Sequence, residues 1–99
     1  MSKKPSFAFI VCAFNENPRI LYALSAISSF QEKESDKYDF IKVVVDDGST
    51  DRTSEVAKAS GFNVIRNEKN IGKSESMKKA VSYLDDNKLN WDYLFFLDA

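Results

Sequence analysis

Four short apolar runs at wide, regular intervals most constrain what this chain can fold into. They are "FAFIVCAF" (Phe7 to Phe14), "FIKVVV" (Phe40 to Val45), "FNVI" (Phe62 to Ile65) and "YLFFL" (Tyr93 to Leu97). Each has the length of a strand. Near-continuous apolar strands indicate a sheet covered on both faces, the habit of parallel sheets. Three segments with helical periodicity separate them. The first starts at "NPRI", with Asn17 placed to cap and Pro18 at the first helical position. Its apolar face comprises Ile20, Ala23, Leu24, Ile27 and Phe30. The second is short, capped by Thr50 or Asp51 and ended by Gly61 in a left-handed conformation. The third runs from about Gly72 to Leu84, with Met77, Ala80, Val81 and Leu84 on one side. "EKESDK" (Glu32 to Lys37) reads as a solvated connection.

The pattern β-α-β-α-β-α-β predicts an α/β fold with three α/β/α layers and a mainly parallel sheet. Right-handed crossovers give strand order 3-2-1-4 most simply. Ligands in such sheets bind beyond the carboxyl ends of the strands, here at the switch point between strands one and four. Those ends are Ala13 to Glu16, Asp46 to Ser49, Arg66 to Asn70, and Asp98. Carboxylates therefore gather on the edge where a ligand sits.

Composition removes several classes of function. Ninety-nine residues make one domain at most. A net charge of −1 gives no global field toward nucleic acid or a membrane surface, so no nucleic-acid partner is expected. With no histidine, any metal is held by oxygen, which favours Mg²⁺ or Mn²⁺ over zinc. The first strand is followed by "CAFNENP", without a glycine, so neither a dinucleotide-binding Gly-x-Gly-x-x-Gly loop nor a Walker loop is present. The missing Gly-rich, basic loop also argues against a sugar-nucleotide pyrophosphorylase. Cys12 alone permits no internal disulfide and fits a reducing compartment. No apolar run spans a bilayer or follows "MSKKP" as a signal peptide would require. A cytoplasmic domain is the expectation, with membrane association of a longer protein left open.

"VVVDDGSTDRT" (Val43 to Thr53) sets Asp46 and Asp47 side by side at a strand tip, where they repel each other. Two readings compete: Asp-Gly-Ser makes a good turn, or the carboxylates face a ligand. Adjacent side chains of an extended strand point to opposite faces, so one acid can satisfy local backbone donors while the other faces a ligand. The structural part is assigned to Asp46. Asp51 reads as a helix cap or first-turn acid. Asn15 and Glu16 fit a helix start as well as they fit a binding loop. Cys12 reads as core, and Trp91 as packing at a turn. Lys73 lies in the first turn of the third helix, where the macrodipole disfavours a cation. It is either a solvated stem or the partner of a bound anion such as a diphosphate.

Taken together, "AFNEN" (Ala13 to Asn17), "VVVDDGSTDRT", "NIGK" (Asn70 to Lys73) and "FLDA" (Phe96 to Ala99) resemble the amino-terminal half of a family 2 glycosyltransferase of the GT-A fold. The four motifs stand in that family's order, each at a strand end. The resemblance implies a Rossmann-like half-domain, residues 1–99, that binds the donor, a UDP- or GDP-sugar. It places Ala13, Asn15 and Glu16 along the nucleotide slot and Asp47 on the base. Lys73 would reach the diphosphate. Asp98 would be the first acid of the Asp-x-Asp motif, near the ribose and a divalent Mg²⁺ or Mn²⁺. The motif's second Asp, the acceptor side and the general base would lie outside these residues. No catalytic residue is therefore expected here, and the chain alone is expected to be inactive. A stand-alone nucleotide-binding module without chemistry is the alternative. A receiver-like domain fits less well, because its paired acids would follow the first strand. The fourth strand, at an edge and without charge or proline, is expected to support self-association.

Overall fold

The computed structural model describes residues 3–99. Strands β1 (Ser6–Ala13), β2 (Asp39–Asp46), β3 (Asn63–Arg66) and β4 (Tyr93–Asp98) alternate with helices α1 (Ile20–Glu34), α2 (Thr53–Ala59) and α3 (Lys73–Asp86). The sheet has the order β3-β2-β1-β4, and all three pairings are parallel. This is the three-layer α/β architecture that the alternation of periods predicts.

Strand β1 lies inside the sheet, and its side chains divide by parity. Phe9, Val11 and Ala13 enter one core with Ile20, Leu24 and Ile27 of α1 and Ala57 of α2. Ala8 and Ile10 enter a second core with Val43, Val45, Ala80 and Leu84, under α3. The chain reverses its direction across the sheet between β3 and β4, and the crossover helix changes faces there, as crossovers of one hand require. Register completes the arrangement: Ala13 stands opposite Asp46, and Cys12 opposite Asp98. The carboxyl ends of β1, β2 and β4 thus form one edge.

Two helices depart from the sequence expectation. Helix α1 begins at Ile20 after Arg19, without a side-chain cap, rather than at Pro18 behind an Asn17 cap. The reason is tertiary. Asn17 N–H donates to Asp51 Oδ2 at 3.3 Å, so this stretch is tied to the loop after β2. Helix α3 buries Ser76, Ala80 and Leu84. Met77 is half-buried and Val81 is exposed; both face a groove beside Phe96 of β4.

Helix α2 ends as expected. Gly61 has φ +86°, its N–H donates to the Lys58 carbonyl, and Phe62 N–H donates to the Ala57 carbonyl. This pair of bonds is a Schellman closure, and Phe62 and Ala57 are both buried in the same core.

Candidate functional site

Three loops meet at the carboxyl edge of the sheet. The loop after β1 leans on the loop after β2 through successive amides. Asn15 N–H donates to Ser49 Oγ at 2.8 Å and Glu16 N–H to Thr53 Oγ1 at 3.2 Å. In return, Asn15 Oδ1 accepts the Thr50 N–H at 2.8 Å. The loop after β2 in turn presses on the loop after β3. At Gly48 a Cβ would stand 2.6 Å from the Lys69 carbonyl carbon and 2.7 Å from the Asn70 nitrogen. Together with φ +82°, this approach requires glycine.

The paired acids separate as strand parity demands. Asp46 is 1% exposed and turns toward α2. Its Oδ1 accepts the Ser49 N–H at 2.9 Å, its Oδ2 accepts the Ser54 hydroxyl, and Arg66 Nε lies 3.9 Å away. Arg66 also donates to the Ser49 carbonyl at 2.6 Å. Asp47 turns the other way, onto the start of α3. Its Oδ1 accepts the Ile71 N–H at 2.8 Å and Asn67 Nδ2 at 3.0 Å, and its Oδ2 accepts the Gly72 N–H at 3.0 Å. Both acids therefore satisfy backbone donors, where the sequence reading gave that part to Asp46. Burial pushes the Asp47 carboxyl up. The bonds from Ile71, Asn67 and Gly72 and the nearby Ser76 hydroxyl together outweigh burial and hold it below the usual carboxylate range. Asp51 is also held low, first by the Thr53 hydroxyl, and its Oδ1 accepts the Thr53 N–H at 2.9 Å. Thr53 opens α2, so Asp51 braces the turn just before the helix, while Arg52 at the cap position makes no side-chain cap bond.

A cleft of about 240 Å³ opens between these loops. Ala13, Asp47, Lys73 and Asp98 line it together. Lys73 Nζ lies 2.7 Å from both carboxylate oxygens of Asp98. The cation at the start of α3 thus has a carboxylate beside it, contributed by the neighbouring strand end. Both side chains are more than half exposed, so the pair is weak and easily exchanged. Asn15 and Glu16 stand to one side, where they hold the first loop against the second. Arg19 Nη2 reaches 2.9 Å from Glu16 Oε2 without aligning an N–H, which leaves that oxygen without a hydrogen-bond donor.

Phe14 and Asn70, which line the cleft, and Asn67, which stands behind it, fall within the strand ends singled out in the sequence without an individual role there, and Ser76, also in the lining, lies outside them. Ser76 did carry a signal: it is a small polar residue on the stripe it shares with Ala80 and Leu84. Cys12, read as core, is half-buried at the cleft floor. Burial first, and then Asp98, push its thiol up, so it is not an activated nucleophile.

Asp98 offers the hard oxygen donor that Mg²⁺ or Mn²⁺ takes. It stands alone: no group of three or more acidic, cysteine or histidine side chains converges for a metal among the described residues. The chain by itself supplies one ligand, and further oxygens would come from elsewhere, such as a diphosphate.

The fold and this edge match known proteins. The model of glycosyl transferase family 2 matches residues 8–99, and the chain belongs to that family. An uncharacterized protein of Methanocaldococcus jannaschii is 40% identical over 97 residues, which cover 91% of this chain and 38% of that protein. Glucosyl-3-phosphoglycerate synthase from Mycobacterium tuberculosis, solved in complex with Mn²⁺, UDP and glucosyl-3-phosphoglycerate, has a similar fold at TM-score 0.73 and 26% identity. That match covers 95% of this chain and 33% of the synthase. The four-stranded sheet is therefore the Rossmann-like amino-terminal half of a GT-A fold. This chain spans well under half the length of each of these relatives.

Proposed function

We propose that residues 1–99 bind the nucleoside-diphosphate-sugar donor of a glycosyltransferase. The observation that carries this reading is the convergence of Asp47, Lys73 and Asp98 in one cleft at the carboxyl edge of the sheet. The bound UDP and Mn²⁺ of the mycobacterial synthase support it. In this reading Asp47 accepts a ring N–H of the base, and Ala13 forms the wall beside it. Asn15 and Glu16 hold the first loop in place along the slot. Lys73 exchanges Asp98 for the diphosphate, at a helix start that favours anions. Asp98, so released, would face the ribose and would be the residue of this chain to hold a divalent ion.

The reaction proposed for the whole enzyme is transfer with inversion. An acceptor hydroxyl, deprotonated by a carboxylate outside these residues, attacks the anomeric carbon in line as the bond to the nucleoside diphosphate breaks. A bound divalent ion would supply charge stabilisation for that leaving group. The two carboxylates lining the cleft are already engaged, Asp47 by N–H donors and Asp98 by Lys73. With the deprotonating carboxylate outside these residues, the chain is read as one that binds donor without turning it over, a reading that equally fits a nucleotide-binding module.

Titration of the chain with UDP and GDP, with and without Mn²⁺, tests the reading through backbone amide shifts. Weak binding is expected, with shifts at 13–16, 46–49 and 70–73 and no sugar release from a UDP-sugar. Shifts confined to other regions would remove the site assignment.

A further inference from the structure

Behind the cleft, Asn67 is 2% exposed and all of its side-chain hydrogen-bonding groups are engaged. Its Nδ2 donates to Asp47 Oδ1 at 3.0 Å and to Ser76 Oγ at 3.1 Å. Its Oδ1 accepts Lys79 Nζ at 3.0 Å, from the outward side of α3. The chemistry of the neighbours fixes this orientation. A lysine ammonium only donates and an ionised carboxylate only accepts, so a flipped amide would lose both bonds. Lys79 therefore polarises the amide, and the amide directs one N–H at Asp47 and the other at Ser76.

Other charged or titratable groups surround Asp47 without replacing this link. Cys12 of β1, Lys73 of α3 and Asp98 of β4 line the same cleft, and Lys73 is engaged by Asp98. Asp46 and Arg66 lie on the opposite side of the strand tip. Lys79 is the cation joined to Asp47 by an unbroken hydrogen-bonded path. Of roughly four acceptor directions on a carboxylate, three are taken by Asn67, Ile71 and Gly72, and the Ser76 hydroxyl stands near the fourth, where a ligand donor from the cleft would compete with it.

We propose that Lys79, acting through Asn67, is the positioning residue that holds the Asp47 carboxylate in the orientation in which it accepts a nucleobase ring N–H from the cleft. Uracil and guanine present such an N–H. Cytosine presents a ring acceptor at the equivalent position, where an ionised carboxylate repels it. The inference rests on the reading of Asp47 as the base contact.

The test uses the 99-residue chain carrying Lys79→Met or Lys79→Arg. The Lys79 stem is exposed and packs in no core, but Lys79→Met leaves the buried Asn67 Oδ1 without its donor, whereas Lys79→Arg keeps one, so folding of both is checked by amide spectra first. The titration midpoint of the Asp47 carboxyl carbon and the ratio of UDP to CDP affinity are read by NMR. In Lys79→Met the midpoint is expected to rise. UDP affinity should fall by roughly threefold to tenfold, the worth of one hydrogen bond, with CDP affinity little changed. Lys79→Arg, which keeps the donor and the charge, should restore both. An unchanged midpoint and ratio in Lys79→Met would overturn the relay. UDP-induced shifts that avoid 46–49 and 70–73 in the unaltered chain would overturn the base-contact reading itself, whatever the midpoint does.

Discussion

Asp46 and Asp47 are adjacent in sequence and serve opposite sides of the sheet. Asp46 closes the turn into α2, and its removal strands buried donors. Asp46→Ala is expected to lose roughly 1–3 kcal/mol of stability in denaturant unfolding while UDP-induced shifts persist. Asp47→Ala should lose stability as well, because the Ile71 and Gly72 amides depend on it, and should also abolish UDP binding. Loss of UDP binding in Asp46→Ala with binding kept in Asp47→Ala would reverse the division. The same residues predict behaviour in acid. Asp47 and Asp51 both sit below the usual carboxylate range in the folded chain. The unfolded chain therefore takes up protons first, so their contribution is complete above the ordinary carboxylate pKa of about 4 and is lost as pH falls through the lower folded values. Melting temperatures measured down that window should decline, and Asp51→Ala should flatten the decline. An identical slope would show that Asp51 contributes nothing to it.

At the scale of elements, β4 differs from its neighbours. Among the described residues it pairs on one side with β1, and no strand pairs with its other edge. Tyr93, Phe95 and Phe96 are 55%, 41% and 38% exposed, on a strand without proline or internal charge. Apolar grooves flank it on both faces, one beside Phe30 and Leu97 and the other beside Met77 and Val81. Such an edge has little protection against pairing with another strand. Association of two copies through β4, antiparallel about a two-fold axis, is the expected result. Sedimentation over a concentration series should show it. A monomer at millimolar concentration with protected β4 amides would show that the edge is shielded. The helices teach a different lesson. The end of α2 was legible because its closure is local, running from Ala57 to Phe62. The start of α1 was not, because Asn17 donates to Asp51, and no periodicity in residues 15–20 reports that bond.

For the whole molecule, local signals were enough for the architecture. Four apolar runs of strand length, three helical periods between them and crossovers of one hand determined the layers, the strand order and the edge on which carboxylates collect. The sequence also determined that Asp46 and Asp47 face apart, since strand parity allows nothing else. What only the tertiary structure decided is which groups meet on that edge. Asp47 receives the amides at the start of α3, Lys73 pairs with Asp98, and Asn67 links Lys79 to Asp47. The partners in the first two cases are about 25 residues apart, at |i−j|=25 for both. Their distances follow from sheet register and from the approach at Gly48. Short-range periodicity places each residue on a face of its own element, and only the packing of one element against another turns those faces into a site.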